Sequence, residues 1–163
     1  MKYLLFAEGF MLKGGFVFKE IAFYSLETNV LKQYIVNSPS KMFSNLSSRE
    51  RKTVSYCGNN LHRIQWFMRG KSFQHVKHMI NKELKMGDEI YTKGDQMKKF
   101  IELQINPRCR VIDFDSTIVN GETFDKSIQE PCECKLSFHQ DIHHCAVKKT
   151  FVCLANMKQF YDE

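Results

Sequence analysis

The 163-residue sequence predicts an α/β fold with a mixed β-sheet flanked by helices. The first third of the chain alternates runs of β-forming residues with short turns, which is typical of an antiparallel three-stranded meander. The remainder alternates segments of helical apolar spacing with short apolar runs, and parallel strands need such helical crossovers between them. The predicted order is strand, strand, strand, helix, strand, helix, strand, helix, in a single domain over residues 1–163.

The three strands of the meander follow from local composition. Residues 2–7 form a short apolar run with aromatic residues, which ends at Glu8. Residues 16–26 are rich in β-branched and aromatic residues, and are long enough for a full strand. A hairpin turn is expected at residues 27–29, so residues 30–36 are predicted as the return strand.

Residues 37–60 are predicted as a long basic surface loop. Ser, Asn, Lys and Arg dominate this segment, and Pro39 lies near its start. At most a short helix is expected, around residues 48–56. Because a loop of this length is usually functional or mobile, its basic residues either contact phosphates or are simply solvated.

The second half of the chain predicts three helices that alternate with two strands. Ser72 is a good N-cap for a helix with apolar residues at helical spacing, and Gly87 closes that segment. The elements that follow are a strand over 88–92, a helix over 94–103, a strand over 109–114, a loop over 115–131 and a last helix over 147–160.

Basic residues exceed acidic ones in the chain as a whole, with 24 Lys and Arg against 18 Asp and Glu, which gives a formal net charge of +6. Such an excess favours a polyanion such as RNA or single-stranded DNA, but it is equally typical of a solvated surface. Trp66 and Tyr56 are either stacking platforms for bases or core residues. The candidate nucleic-acid-binding residues are Arg49, Arg51, Lys52, Arg63, Arg69 and Lys71.

Targeting signals are not evident in the sequence. The opening residues are apolar, but Glu8 comes too early for the core of a signal peptide. No run approaches the ~18 apolar residues of a membrane span. The six cysteines, without a secretory signal, indicate reduced thiols or metal ligands rather than disulfides. The sequence therefore predicts an intracellular protein that does not contact membranes, in the cytoplasm or the nucleus.

Thiols and imidazoles are concentrated between residues 132 and 145, and this mixture of ligands is what zinc selects. Four residues separate Cys134 from His139 and five separate His139 from Cys145, so a loop could supply two ligands and a helix start the third. A tetrahedral ion needs a fourth ligand, from elsewhere in the chain or from water in a catalytic site. The alternatives are Cys132 for Cys134, His143 or His144 for His139, or packing and capping roles without metal.

Three regions of the chain resemble the motifs of proofreading-type 3′-5′ exonucleases with the ribonuclease-H-like fold. They are the strand end at Glu8, the strand end at 91–94 and the helix start at 144–149. The element order is also the ribonuclease-H-like one, and that family holds two divalent ions with four acidic residues and a histidine. Phe6 and Lys149 stand where the family has Asp, and a lysine would repel the ions. The resemblance therefore implies that the two-metal chemistry is lost.

This departure is similar to that of the Maelstrom domain of the germline small-RNA pathway and of a group of insect and virus-like reading frames. In the Maelstrom domain a Glu-Cys-His-Cys zinc site replaces the acidic site. Residues 18–26 resemble the second strand, which supplies the glutamate. The resemblance implies one structural zinc ion, held by Glu20, Cys134, His139 and Cys145, and no catalytic residue.

The expected function is that of a zinc-stabilised, nuclease-derived domain that binds RNA or single-stranded DNA. A nuclease with a non-standard active site is one alternative, since an open position on the ion could hold an activated water. A protein-interaction adaptor, whose inherited fold only presents a surface to protein partners, is the other. Whether the chain is an enzyme is left open by the sequence, although a conventional nuclease is disfavoured.

Overall fold

The computed structural model describes residues 1–113 and 145–161, and for residues 40, 41 and 155–161 it describes the backbone only. The five strands within these residues form one sheet in the spatial order β3-β2-β1-β4-β5. The strands are β1 (Lys2–Leu12), β2 (Gly15–Ser25), β3 (Val30–Ile35), β4 (Glu89–Thr92) and β5 (Arg110–Asp113).

Helices flank this sheet, as predicted. Two of them continue into a π-helical turn, Cys57–Leu61 after α2 and Ile101–Ile105 after α4. None of the described helices is long and apolar enough to cross a membrane. The described helices are α1 (Ser40–Asn45), α2 (Ser48–Tyr56), α3 (Phe73–Glu83), α4 (Asp95–Phe100) and α5 (Ala146–Tyr161).

The sheet is mixed, which confirms the predicted class. β1, β2 and β3 pair antiparallel, whereas β4 pairs parallel with β1 and β5 pairs parallel with β4. The predicted meander is therefore present, followed by two strands that helical crossovers bring into the same sheet. β1 runs past its predicted end at Ala7 to Leu12, because a hairpin directly after it carries β2 back along its whole length.

A β-bulge interrupts the pairing of β1 with β2. Glu8 lies opposite Glu20 and Gly9 lies opposite Phe18, so Lys19 is the extra residue on β2. Gly9 is required at this point, because a Cβ there would clash with the backbone carbonyl of Val17. The bulge places two charged residues, Lys19 and Glu20, next to each other in the interior of the protein.

Alternation along β1 and β2 separates two cores. Leu5 and Phe23 pack in the cluster that includes Val76 of α3. Leu4 and Ala22 pack in the cluster that includes the start of α5. Side chains of successive strand residues point to opposite faces, so the sheet separates these clusters. Glu8 and Glu20 follow the same alternation as Leu4 and Ala22, which places both carboxylates on the α5 face.

The prediction of a long loop at residues 37–60 is wrong for most of that segment, although its short helix at 48–56 is confirmed as α2. Ser47 and Glu50 form a capping box, in which each side chain accepts a hydrogen bond from the other residue's backbone N–H. A third apolar cluster anchors the segment to the end of β1, and it includes Phe10, Val54 and Trp66. The segment folds because it has this small core of its own.

Candidate functional site

Glu20 is fully buried and is held by two elements. Its Oε1 accepts a hydrogen bond from Nε2 of Gln33 on β3 at 2.7 Å, and its Oε2 accepts one from the backbone N–H of Ala146 at 3.0 Å. Ala146 is the first residue of α5, so the carboxylate lies at the positive end of the helix dipole. A lone glutamate on a strand would usually be solvated at the surface. Glu20 is instead buried and held by hydrogen bonds.

Cys145 caps the same helix end and is fully buried. Its carbonyl accepts from the N–H of Lys149 at 3.0 Å, and its Sγ accepts from the N–H of Lys148 at 3.5 Å. A side chain that accepts from the third helical N–H is the usual N-cap arrangement, with sulfur here in place of oxygen. The Glu20 carboxylate and the Cys145 thiol thus belong to one buried site at the start of α5.

Glu8 is the cross-strand neighbour of Glu20 and is also buried. Its Oε1 forms an ion pair with the ammonium of Lys149, one turn into α5. Phe6 and Lys149 were singled out in the sequence because the exonuclease motifs have Asp there. Phe6 packs in the apolar cluster beneath α5, and Lys149 neutralises the one acidic residue that matches the motifs.

Of the four ligands that the resemblance implies, Glu20 and Cys145 come together at the start of α5. Cys134 and His139 lie outside the described residues, and so do the alternatives Cys132, His143 and His144. Within residues 1–113 and 145–161, no group of three or more His, Cys, Asp or Glu side chains could hold a metal ion. The described residues therefore include two of the four zinc ligands that the resemblance implies.

The chemistry of these two side chains fits zinc. A buried carboxylate and a buried thiol are an oxygen and a sulfur donor, and both are common zinc ligands. Each oxygen of Glu20 has two lone pairs, so accepting one hydrogen bond does not exhaust its capacity. The bond to Gln33 also orients the carboxylate, as a partner behind a metal ligand does.

The six predicted nucleic-acid-binding cations are all exposed. Arg49, Lys52 and the exposed Tyr56 are spaced three and seven residues apart on α2, so they share one face of that helix. Arg51 points back, and its guanidinium donates to the carbonyls of Leu46 and Ser44 at 3.0 and 3.2 Å. Arg51 therefore has a structural role in joining α1 to α2.

Of the two aromatic residues singled out in the sequence, Trp66 is a core residue. It is 3% exposed and packs near Phe10 and Phe43, with ring centroids 5.5 and 5.6 Å away. A role as a stacking platform is therefore wrong for Trp66. Tyr56 is 59% exposed and keeps that role as a prediction. Phe67, which directly follows Trp66 in the sequence, is 65% exposed, and the sequence analysis did not single it out.

Lys19 is another buried charge, and the sequence analysis did not single it out. Its ammonium donates to the carbonyls of Trp66 and Met68, each at 3.1 Å. Burial lowers the pKa of Lys19 from 10.5 to about 8, because desolvation disfavours the charged form. The only signal in the sequence is a lysine beside Glu20 within a mostly apolar strand, and that signal does not reveal the bulge.

Comparisons with protein-family models, with curated proteins and with solved structures found no match.

Proposed function

We propose that this chain is a zinc-stabilised domain of nuclease ancestry that has lost two-metal chemistry and binds RNA or single-stranded DNA. The ancestry is supported by the mixed five-stranded sheet, in which an antiparallel meander precedes two parallel strands and helices flank the sheet. The Maelstrom-type site is supported by the position of Glu20 beside the Cys145 cap.

The loss of two-metal chemistry is supported by the Glu8–Lys149 ion pair. In a two-metal site, carboxylates face two cations and stabilise both the attacking and the leaving oxygen. Here an ammonium group contacts the carboxylate of Glu8. A fixed positive charge at that place disfavours a divalent cation by direct repulsion.

Zinc would be held by Glu20 and Cys145 together with Cys134 and His139, or with their alternatives. A site closed by four protein ligands is structural, and its binding energy contributes to folding. The ion would link β2 to the start of α5 and to the segment before it. This chain's own contribution is to bury and orient the carboxylate and the thiol at that junction.

Zinc analysis of Cys145→Ser tests this part. Serine is a good N-cap, so the variant keeps the helix cap while losing the thiolate ligand. We expect about one zinc per wild-type chain, a melting temperature that falls when a chelator is added, and neither property in the variant. Cys109→Ser, at a half-buried thiol near β5, is the matched control and should behave as wild type.

Zinc retained by Cys145→Ser, or absent from wild-type protein purified without added metal, would contradict the zinc assignment.

One observation gives the main support for nucleic-acid binding. Of the five candidate cations other than Arg51, four fall within residues 51–82, a stretch of the sequence that contains no Asp or Glu, and they are Lys52, Arg63, Arg69 and Lys71. Positive charge without acidic neighbours attracts phosphates, and it releases condensed counterions from the polyanion. The exposed Tyr56 beside Lys52 adds a ring on which a base can stack.

Salt titration of binding to a labelled single strand tests this part. About five phosphate contacts would give a slope of log affinity against log salt near −3.5. The double variant Arg49→Gln/Lys52→Gln should make that slope shallower by about 1.4. Arg108→Gln, an exposed arginine outside the basic stretch, is the control and should leave the slope unchanged.

Absence of binding at any salt concentration would favour the adaptor alternative. Degradation of the labelled strand by wild-type protein, abolished by Cys145→Ser in a folded state, would favour a nuclease with a non-standard site.

A further inference from the structure

Phe67 is an exposed aromatic residue in a segment that is otherwise firmly anchored. Its side chain is 65% exposed, while Trp66 directly before it is buried. The ring of Phe67 makes an edge-to-face contact with Phe43, with centroids 5.1 Å apart, and this contact restricts its orientation. The segment of interest is residues 66–71, called the 66–71 loop below.

Lys19 fastens the 66–71 loop from beneath. Its ammonium binds the carbonyls of Trp66 and Met68, the residues on either side of Phe67. Burying an amine is unfavourable unless its donors are satisfied, so the two carbonyls and the ammonium depend on one another. The backbone that carries Phe67 is thereby fixed with the ring on the outside.

The far end of the 66–71 loop is fastened to β3. The N–H of Lys71 donates to the carbonyl of Ile35, and the N–H of Asn37 donates to the carbonyl of Lys71, each at 2.8 Å. Gly70 lies so close to this strand that a Cβ would clash with the carbonyl of Ile35. The N–H of Gly70 also donates to Oδ1 of Asn37 at 2.7 Å.

The approach to the 66–71 loop is fixed as well. His62 is buried, its Nδ1 accepts from the N–H of Ile64 at 3.0 Å, and its Nε2 lies 3.1 Å from the carbonyl of Gly9. Arg63 follows with a left-handed backbone at φ 56°, which places an exposed cation just before the loop. A non-glycine residue keeps that conformation only where its surroundings impose it.

The charges around Phe67 favour a polyanionic partner. Arg69 and Lys71 within the loop and Arg63 just before it are exposed, and the surrounding sequence from 51 to 82 has no acidic residue. A rigid exposed ring among cations matches the way single strands are bound, with a base on the ring and phosphates on the cations. An apolar protein partner would gain nothing from these cations.

We propose that Phe67 is a base-stacking platform for single-stranded nucleic acid, presented by the anchored 66–71 loop. This inference rests on the proposed nucleic-acid binding and assigns it a specific site. Because every base has a π-face, the platform accepts RNA and DNA without sequence preference. Arg63, Arg69 and Lys71 bind the flanking phosphates.

The test compares a labelled oligothymidylate with an abasic oligomer of the same length and charge. Wild-type protein should bind the oligothymidylate about ten-fold more tightly, since stacking needs the base. Phe67→Leu, which stays apolar but loses the aromatic face, should bind the oligothymidylate several-fold more weakly than wild type and the abasic oligomer with unchanged affinity. Phe67→Trp should restore the preference, and Leu103→Ala, at another exposed apolar residue, should not alter it.

The salt slope separates this inference from the function on which it rests. Phe67→Leu should leave that slope unchanged, because it removes no charge. If wild-type protein binds both oligomers but Phe67→Leu keeps the full wild-type preference for bases, the platform is refuted and nucleic-acid binding stands. If neither oligomer binds, both proposals fall. A dimer that Phe67→Leu converts to a monomer, with the base preference intact, would assign Phe67 to self-association instead.

Discussion

Lys19 and Glu20 are adjacent, oppositely charged and equally buried, yet they organise different parts of the molecule. Glu20 accepts hydrogen bonds from the first N–H of α5 and from Gln33, whereas Lys19 donates to two carbonyls of the 66–71 loop. Because a buried charge needs well-placed partners, each residue fixes the backbone that supplies them. One bulge in β2 therefore positions both the proposed metal site and the proposed nucleic-acid platform.

The largest effect on stability is expected from substitution of Glu20. Glu20→Ala leaves the N–H of Ala146 unpaired and opens a cavity, and should lower the free energy of unfolding by about 2–4 kcal/mol. Chemical denaturation measures this loss. Glu102→Ala, at a half-buried glutamate on the π-helical turn after α4, should change stability by less than about 0.5 kcal/mol. Equal effects of the two substitutions would mean that Glu20 does not fix α5.

A substitution at Gly70 tests how firmly the 66–71 loop, which Lys19 also holds, is attached to β3. Gly70→Ala places a methyl group against the carbonyl of Ile35, so it should cost about 2 kcal/mol and weaken single-strand binding. Gly14→Ala has open space around its new methyl group and serves as the control. A Gly70→Ala variant that matched the control in denaturation and binding would show that the loop is not fixed at β3.

Titration tests the burial of Lys19. The pKa of Lys19 is about 8 in the folded protein and ordinarily 10.5, so both states hold the proton below pH 8. Between pH 8 and 10.5 the folded state releases its proton first, and the free energy of unfolding rises with pH. From pH 7.5 to 9.5, wild-type protein should gain about 1–2 kcal/mol relative to Lys19→Met.

The control for this titration is Lys13→Met, at an exposed lysine, which should follow wild type across the same range. A constant difference between wild type and Lys19→Met would contradict the buried position of the amine.

The smallest effect is expected at the ion pair next to Glu20. A double-mutant cycle with Glu8→Gln and Lys149→Met should give a coupling energy of about 1 kcal/mol, since Lys149 is partly exposed. Urea denaturation of the four proteins measures it. The same cycle at Asp95 and Lys99, an exposed pair on α4, should give less than half as much. Zero coupling at Glu8 would remove the support that this pair gives to the loss of two-metal chemistry.

Periodicity in the sequence was sufficient to predict most of the fold. The meander and the later strands were found because apolar alternation and turn residues are local signals. α1 was missed, because its short polar segment is stabilised by contacts with β1 and Trp66 that are distant in sequence. The start of α2 did carry a readable signal, the Ser47 and Glu50 capping box.

The candidate site was predictable only in part. The resemblance paired Glu20 with Cys145, and the structure places Glu20 against the helix that Cys145 caps. Lys19 was missed because a bulge depends on the register between two strands, which neither strand encodes alone. The burial of Trp66 and the exposure of Phe67 were equally hidden, since they depend on how Lys19 holds the carbonyls of Trp66 and Met68.

The attachment of residues 70 and 71 to β3 has a consequence for solubility. Among the described strands β3 is the outermost on its side of the sheet, and an open strand edge is a template for pairing with other chains. Lys71 pairs with Val36 in a parallel bridge and uses the carbonyl of Ile35 and the N–H of Asn37. The loop therefore also covers the carboxyl end of this strand edge, where another chain could otherwise pair, and variants that release it should aggregate more readily.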